Sequence, residues 1–543
     1  MQSDASEILK ALLLRRGMSE EEISLYLKPS IADLPLPESL PGIAEASKVL
    51  CDALESRSRI VVFGDYDCDG VCAAAILMSA LQALGAIVSA FLPERLQEGY
   101  GMSDASVARM LKEYPDVKLV VTVDNGINSV RQIADLKSRG ISVVVTDHHL
   151  PGDELPPADV LVNPKVSSPD ALNGLCGAGV AFMLANKLVD DARKRQIYSG
   201  PAIGGPLLVL AGLATVTDIM PLVGPNRIFV AEALRRFSSW APLGLKELYL
   251  RAARSGADKL TVRDFGYLLG PRINAAGRIA SGMDALDLLL ETNGERVREY
   301  ARRIDLNNTA RKSIEQRMTE EAMKKVVPGA SAQVIDLPKG HPGVSGIVAA
   351  RMLERLRAEV PVCVIAAGHG SARSPEWFNI RDAFVACSHL LATFGGHAAA
   401  GGFAVKEGKI DEFRAALCEY SSKFNTCEHI QARGEPEMVL SPEDLTLELA
   451  EALEVMEPFG EGNEEPVFGL KGVTLSDVRF LGTGRKHITL TVRPCGLRAV
   501  WWGHGDRFED IRLAGSKPRD ISFCLSVSNY GERHLELRLV SVD

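Results

Sequence analysis

Four hydrophobic runs constrain this chain more than anything else in it: RIVVFGD (59–65), KLVVTVD (118–124), ISVVVTD (141–147) and DVLVNP (159–164). Each is short, rich in valine and apolar at consecutive rather than alternate positions, the pattern of a strand buried on both faces. Helix-patterned stretches stand between them, such as VCAAAILMSALQALG (71–85) and NSVRQIADLKSRG (128–140). Strands that alternate with helices in this way form a parallel sheet covered by helices. Ligands of such open sheets gather outside the carboxyl ends of the strands. Here those ends are polar: Asp65, Asp67 and Asp69; Asp124 and Asn125; Asp147, His148 and His149; Asn163.

The rest of the chain divides around this unit. Residues 1–50 read as a helical N-terminal segment that ends in a proline-rich stretch, LPLPESLPG (34–42), and 51–237 as the α/β domain with its helical extension. A helical connector follows over 238–328, with one long charged helix from Glu295 to Lys325 stopped by Pro328-Gly329. A second α/β unit occupies 329–428: strand QVIDL, helix GVSGIVAARMLERLRAEV, strand PVCVIAA and helix IRDAFVACSHLLATF. Residues 429–543 hold an acidic segment and then short β-like runs (HITLTV, LRAVWW, ISFCLSV, HLELRLVSV), which suggest a small barrel or sandwich; an OB-like barrel fits.

At 543 residues the chain is long enough for three or four domains. With 46% hydrophobic and 24% charged residues it is neither disordered nor membrane-embedded. Its ten cysteines are scattered without a C-x-x-C, so neither a disulfide framework nor a zinc knuckle is expected. No signal-peptide pattern opens the sequence, and the cytoplasm is the expected compartment. The net charge of −9 is local: residues 431–470 carry eleven Asp/Glu against Arg433 alone, and the remainder is close to neutral. A polyanionic substrate is therefore permitted.

Several carboxylates at one sheet edge repel one another unless a cation neutralises them. A mixed Asp/His donor set without cysteine suits Mn²⁺ or Mg²⁺. Five or six donors exceed the needs of one ion, and two ions sharing a carboxylate can clamp a phosphoryl group from both sides. A single Asp after a strand is most often a helix cap, and Asp-Asn-Gly most often a turn. Three such motifs at successive strand ends are not explained by capping.

GDYDCDG (64–70), VTVDNGI (121–127) and TDHH (146–149) resemble the successive motifs of the DHH phosphoesterase superfamily. LATVTDIMPLVGPNR (213–227), GPRINAAGRI (270–279), HPGVSGIVAARM (341–352), GSARS (370–374) and FGGHAAAGGF (394–403) narrow the resemblance to the RecJ single-stranded-DNA-specific exonucleases. Cys68 stands where those proteins commonly carry alanine, and Gly340 where an aromatic is frequent; neither supplies a metal ligand.

The resemblance implies a DHH domain, a DHH-associated substrate-binding domain and an OB-like domain. It implies Asp67, Asp69, Asp124, His148 and Asp218 as ligands of two Mn²⁺ or Mg²⁺ ions, with Asp124 bridging and Asp65 and His149 at the edge of the centre. Asp218, inside an apolar helical run, comes from the resemblance alone. On the substrate side, GSARS reads as a tight loop carrying Ser371 and Arg373, and GGHAAAGG as a loop whose Gly401 and Gly402 let backbone N–H groups approach an anion. Arg278 is a phosphate grip, and His341 and His397 are substrate contacts.

The activity so implied is hydrolysis of single-stranded DNA from the 5′ end to mononucleotides, in DNA repair and recombination. A single-strand-binding protein or a helicase is the expected protein partner, and no membrane is involved. A phosphoesterase acting on short oligonucleotides or cyclic dinucleotides, and a silent scaffold, are the alternatives. In the tail, Trp501 and Trp502 occupy adjacent strand positions and face opposite ways, so at most one can stack on a base.

Overall fold

The computed structural model describes residues 5–99, 101–167, 172–201, 203–253, 260–424, 435–514, 517–528 and 533–543. They form two compact units, one of residues 36–220 with 233–430, the other of 1–35, 221–232 and 431–543.

The first unit opens with a five-stranded parallel sheet: β1 (Arg59–Phe63), β2 (Val88–Phe91), β3 (Val117–Val123), β4 (Ser142–Thr146) and β5 (Val160–Val162). Its order is β2-β1-β3-β4-β5, so the direction of winding reverses between β1 and β3. That reversal opens a crevice at the carboxyl ends of these two strands. Four of the strands are the valine runs. β2 is the addition: Val88, Ser89 and Ala90 are only half-buried at the sheet edge, so the segment shows no continuous apolar run. The helix Cys68–Ala83 lies in the interior, with 13 buried residues, which accounts for its lack of a polar face.

The long helix runs from Gly294 to Met323 and leads into the second sheet. This contains β6 (Gln333–Leu337), β7 (Val362–Ala366), β8 (His369–Arg373), β9 (Leu391–Gly396) and β10 (Ala400–Val405) in the order β6-β7-β8-β10-β9. β6 and β7 are parallel and the others antiparallel. Two expectations are corrected here. GSARS is strand β8, not a loop, and GGHAAAGG is a β-hairpin in which Gly401 pairs with Gly396 and Gly402 with Gly395. Accordingly the helix expected over 380–394 stops at Ala386, because Leu391 to Gly396 is taken up as a strand beside β10. Glycines conceal strand periodicity because they have no side chain to alternate.

The second unit is a barrel. β12 (Phe468–Leu481), paired on one side with the short β11 (Met438–Val439), pairs with β13 (His487–Arg493), which pairs with β14 (Leu497–Trp501). β14 pairs with β16 (His534–Val542), which pairs with β15 (Arg519–Ser528), and β15 returns to β12 and closes the barrel. The N-terminal helices Ala5–Arg15 and Glu20–Leu27 share this core: Leu12, Leu13 and Ile23 pack in one cluster with Leu449, Met456 and Phe468. Arg227 enters the same unit, its guanidinium 3.8 Å from the Tyr26 ring and donating to the carbonyls of Tyr26, Met456 and Val455. Among the described residues no helix is long and apolar enough to cross a membrane.

Candidate functional site

The strand ends deliver their side chains to one point. His148 Nε2 lies 3.1 Å from Asp124 Oδ1, 3.5 Å from Asp69 Oδ2 and 3.7 Å from Asp218 Oδ2. Three overlapping groups have donor atoms within 4.8 Å of one another: Asp65, Asp67 and Asp124; Asp124, His148 and His149; Asp69, His148 and Asp218. Asp124 and His148 each belong to two of them.

Local structure fixes each donor. Asp67 caps the helix Cys68–Ala83, accepting from Gly70 N–H at 3.0 Å. Asp69 receives the first N–H groups of another helix, Gly177 and Ala178, both at 2.7 Å. Asp124 follows β3 with φ of +60°, and Ile219, directly after Asp218, has φ of +57°. Left-handed backbone is rare at a β-branched residue and costs on the order of 1–3 kcal/mol where the surroundings enforce it. Both turns aim a carboxylate into the centre. Asp147 points away from it. It accepts from Ile127 N–H and His148 N–H at 2.9 and 2.7 Å and meets the His149 ring at 2.8 Å, so it orients the His149 imidazole and fixes the backbone that carries His148.

Burial and crowded negative charge mark the donors. Asp65, Asp67 and Asp124 are pushed above the ordinary carboxylate range by burial and by neighbouring carboxylates, Asp67 acting on Asp65 and Asp69 on both Asp67 and Asp124. Asp218 rises to about 8 through burial and the charge of Asp69. Burial drives His148 down to about 4, leaving a neutral imidazole, the form that ligates metals. His149 is raised to about 9: burial opposes its charge, but the hydrogen bond to Asp147 and the charges of Asp147, Asp218 and Asp69 together outweigh it. Both oxygens of Asp65, Oδ1 of Asp124 and Nδ1 of His148 are buried without a hydrogen-bond partner. Orphaned buried acceptors of this kind are costly, and divalent cations bound by oxygen and nitrogen donors satisfy them. The donor set fits Mn²⁺ or Mg²⁺.

Of the residues expected on the substrate side, Ser371, Arg373, Gly401 and Gly402 lie in the second sheet. Ser371 and Gly402 are register partners, and Arg373 shares their face. Ser371 Oγ is 2.8 Å from Ser345 Oγ at the start of the helix Ser345–Arg355. Gly402 has no atom nearer than 4.0 Å to an added Cβ, whereas Gly401 faces the core, where a Cβ would meet the Phe384 ring at 2.7 Å. Arg373 Nη1 donates to the Ala372 carbonyl at 2.8 Å, and its pKa falls through burial and the charge of Arg95. Arg278, donating to Gly343 O at 3.4 Å, is pushed down to about 10 by burial and by Arg95. His397, at the hairpin tip, is lowered by partial burial and by His149, which places it towards the metal edge. His341 is turned inward, its Nδ1 accepting from Gly343 N–H at 3.2 Å.

The sequence does not single out Arg95, Gly177 or Ser345, and it places Asp147 at a strand end without showing that it holds the His149 ring. Arg95 lies 5.2 Å from the Tyr66 ring centroid, and its charge acts on Asp65, Arg278 and Arg373 at once. Its signal was faint: one cation just beyond the unrecognised strand β2. Gly177 opens an apolar helix, and a Cβ there would fall 2.6 Å from that of Asp124. The G-x-G at 177–179 was the available clue.

The chain is similar to known proteins over most of its length. Residues 59–205 match the DHH family N-terminal domain, 329–423 the DHHA1 domain and 437–541 the RecJ OB domain. The single-stranded-DNA-specific exonuclease RecJ of Thermus thermophilus is 36% identical over 531 residues, 97% of this chain and 73% of the relative. The chain belongs to the RecJ family. The Bacillus subtilis RecJ is 32% identical over 94% of this chain, which spans 64% of that relative's length. Crystal structures of the T. thermophilus RecJ with Mn²⁺ and with Mg²⁺ superimpose with TM-scores of 0.83 and 0.77, at 32% and 31% identity. Each covers 98% of this chain, and this chain covers 75% and 73% of them. The RecJ fold expected from the sequence, with its parallel DHH sheet and closed terminal barrel, is thus the fold of this chain.

Proposed function

We propose that the chain is a metal-dependent exonuclease that hydrolyses single-stranded DNA from its 5′ end and releases mononucleotides. The observation that carries this reading is the pairing of a carboxylate–imidazole cluster with two arginines whose charges reach it, Arg95 at Asp65 and Arg278 at Asp67. Asp67, Asp69, Asp124, His148 and Asp218 would hold the two ions, and Asp124, which belongs to two of the donor groups, would serve both. When bound, the ions neutralise the scissile phosphate and lower the pKa of a water molecule. Asp65 and His149 sit at the rim, where His149, protonated below about 9, can donate to a phosphate oxygen. Ser371, Arg373 and the backbone at Gly402 take the terminal phosphate, Arg278 and Arg95 grip the next part of the backbone, and His397 approaches from the hairpin tip. Gly401 supports that strand from behind. His341 serves chiefly to shape the turn before Ser345.

The domain division that accompanies this reading is an N-terminal helical segment, a DHH domain to residue 237, a connector to 328, a substrate-binding domain to 428 and an OB-like domain. We place the enzyme in cytoplasmic DNA repair and recombination, with a single-strand-binding protein or a helicase as partner.

The test is a long single strand labelled at either end. With Mn²⁺ or Mg²⁺, 5′ label should appear in mononucleotides from the first turnovers while 3′ label stays in long products, and Asp124→Ala should lose at least about 100-fold in rate, the scale for removal of a group that holds transition-state charge. Early release of 3′ label would reverse the polarity. Hydrolysis confined to dinucleotides would move the enzyme to the short-oligonucleotide class.

A further inference from the structure

The long helix Gly294–Met323 and the helix Ser345–Arg355 line a cavity of about 290 Å³ that the site above does not use. Four cations line it, Arg311, Lys312, Arg351 and Arg355, against one carboxylate, Glu315. Glu315 is already shared, accepting from Arg311 at 2.7 Å and from Arg351 at 3.1 Å. Arg351 also meets Glu354 at 3.0 Å. Lys312 and Arg355 have no carboxylate partner among the described residues. In the same wall Thr319 is 3% exposed, and its hydroxyl has no hydrogen-bond partner.

Cations on a helix face are usually solvated singly. Arg311 is not: it is 7% exposed and pinned by Asn308 as well as Glu315. Like charges held around so small a space repel unless an anion sits among them. Planar guanidinium donors beside a hydroxyl match the oxygens of a phosphate. The volume lies at the lower end for small-molecule pockets, about 300–1,000 Å³. It therefore suits one nucleotide or one backbone phosphate rather than a longer segment.

We propose that this cavity is a second phosphate site, separate from that at Ser371 and Arg373, which takes the phosphate of a nucleotide. The nucleotide is either free or part of the bound strand. The free-nucleotide arm stands whatever the chain's activity, whereas the strand arm rests on the single-strand reading.

The probe is 5′-dAMP, titrated calorimetrically into the full-length, metal-free protein, beside the salt dependence of its binding to a 20-nucleotide strand. Lys312→Ala/Arg355→Ala removes two exposed side chains, and Thr319→Val keeps the shape of a buried one. A free nucleotide predicts one fewer equivalent of 5′-dAMP bound by the double variant, and about fivefold weaker binding of that equivalent by Thr319→Val. A strand phosphate predicts unchanged 5′-dAMP binding and a salt slope shallower by about 0.7 per lost contact. If the double variant matches wild type in both stoichiometry and slope, the proposal is overturned; unchanged thermal transitions show that the fold is intact.

Discussion

Asp218 shows how much a single position depends on its ligand. Its carboxyl, raised to about 8, belongs to a group for which folding favours the protonated form. The stability it contributes without metal is complete below the ordinary carboxylate pKa of 3.8 and is lost as pH rises through about 8. His149, raised to about 9, has the same sign: its contribution is complete below 6.5 and lost as pH rises through about 9. His148, lowered to about 4, contributes fully above 6.5 and adds no slope at higher pH. Chelated protein should therefore lose thermal stability steadily between pH 6.5 and 9.5. Added Mn²⁺ should restore it, by about 2.7 kcal/mol at a hundredfold excess over Kd. A chelated protein with a flat profile over that window would show that the carboxylates are not under this strain. Arg373 governs a different property. Among the described residues its guanidinium bonds the Ala372 carbonyl alone, which leaves donors for the terminal phosphate proposed above. Arg373→Ala should reduce the preference for 5′-phosphorylated over 5′-hydroxyl strands by roughly 10–150-fold, the range of a charge-assisted contact of about 1.5–3 kcal/mol. Equal losses on both strands would make Arg373 a general backbone contact.

Among the elements, the helix Gly177–Lys194 shows why a helix can be legible while its role is not. Replacing a helical glycine by alanine usually stabilises, by about 0.5–1 kcal/mol. At Gly177 the sign should reverse. The new Cβ would stand 2.6 Å from Asp124 Cβ and 2.8 Å from its Oδ1, so the helix start must withdraw and take with it the two N–H groups that hold Asp69. Gly177→Ala should cut activity at least tenfold and weaken Mn²⁺ binding, with circular dichroism unchanged; full activity would show that the centre tolerates the shift. The valine strands and the long helix were readable because burial on both faces, or a long charged helical pattern, leaves its mark over many residues. β2 was not, because half-burial at a sheet edge leaves no continuous run, and the β9–β10 hairpin was not, because its glycines have no periodicity to display. The convergence of Asp65, Asp67, Asp69, Asp124 and His148 was readable from strand ends alone. Asp218 and Arg95 were not, since each enters the site from an element that points there only once the chain has folded.

At the scale of the whole molecule, sequence order misleads about what can be removed. The barrel shares its core with helices more than 400 residues earlier: Arg16 grips Glu437 through two contacts of 2.8 Å, and Arg227 spends its donors on Tyr26, Val455 and Met456. A chain cut near residue 428 would uncover Leu12, Leu13 and Ile23 and leave Arg227 without two of its three carbonyls, so its failure would report misfolding rather than a lost grip on DNA. A point substitution isolates the barrel's contribution better. Trp501 is 3% exposed and belongs to the core, while its neighbour Trp502 is 52% exposed, edge-on to His487 with ring centroids 4.8 Å apart. Trp502 is thus the side chain available for a base. Stacking on an aromatic is worth about 1–3 kcal/mol per base, so Trp502→Ala should weaken binding of long single strands by roughly 5–150-fold. It should leave kcat at saturating substrate unchanged, because Trp502 brings no group to the metal centre, and the salt slope should also hold, because no phosphate contact is lost. Unchanged affinity for long strands would remove Trp502 from the strand's path and turn this face of the barrel into a docking surface for a protein partner.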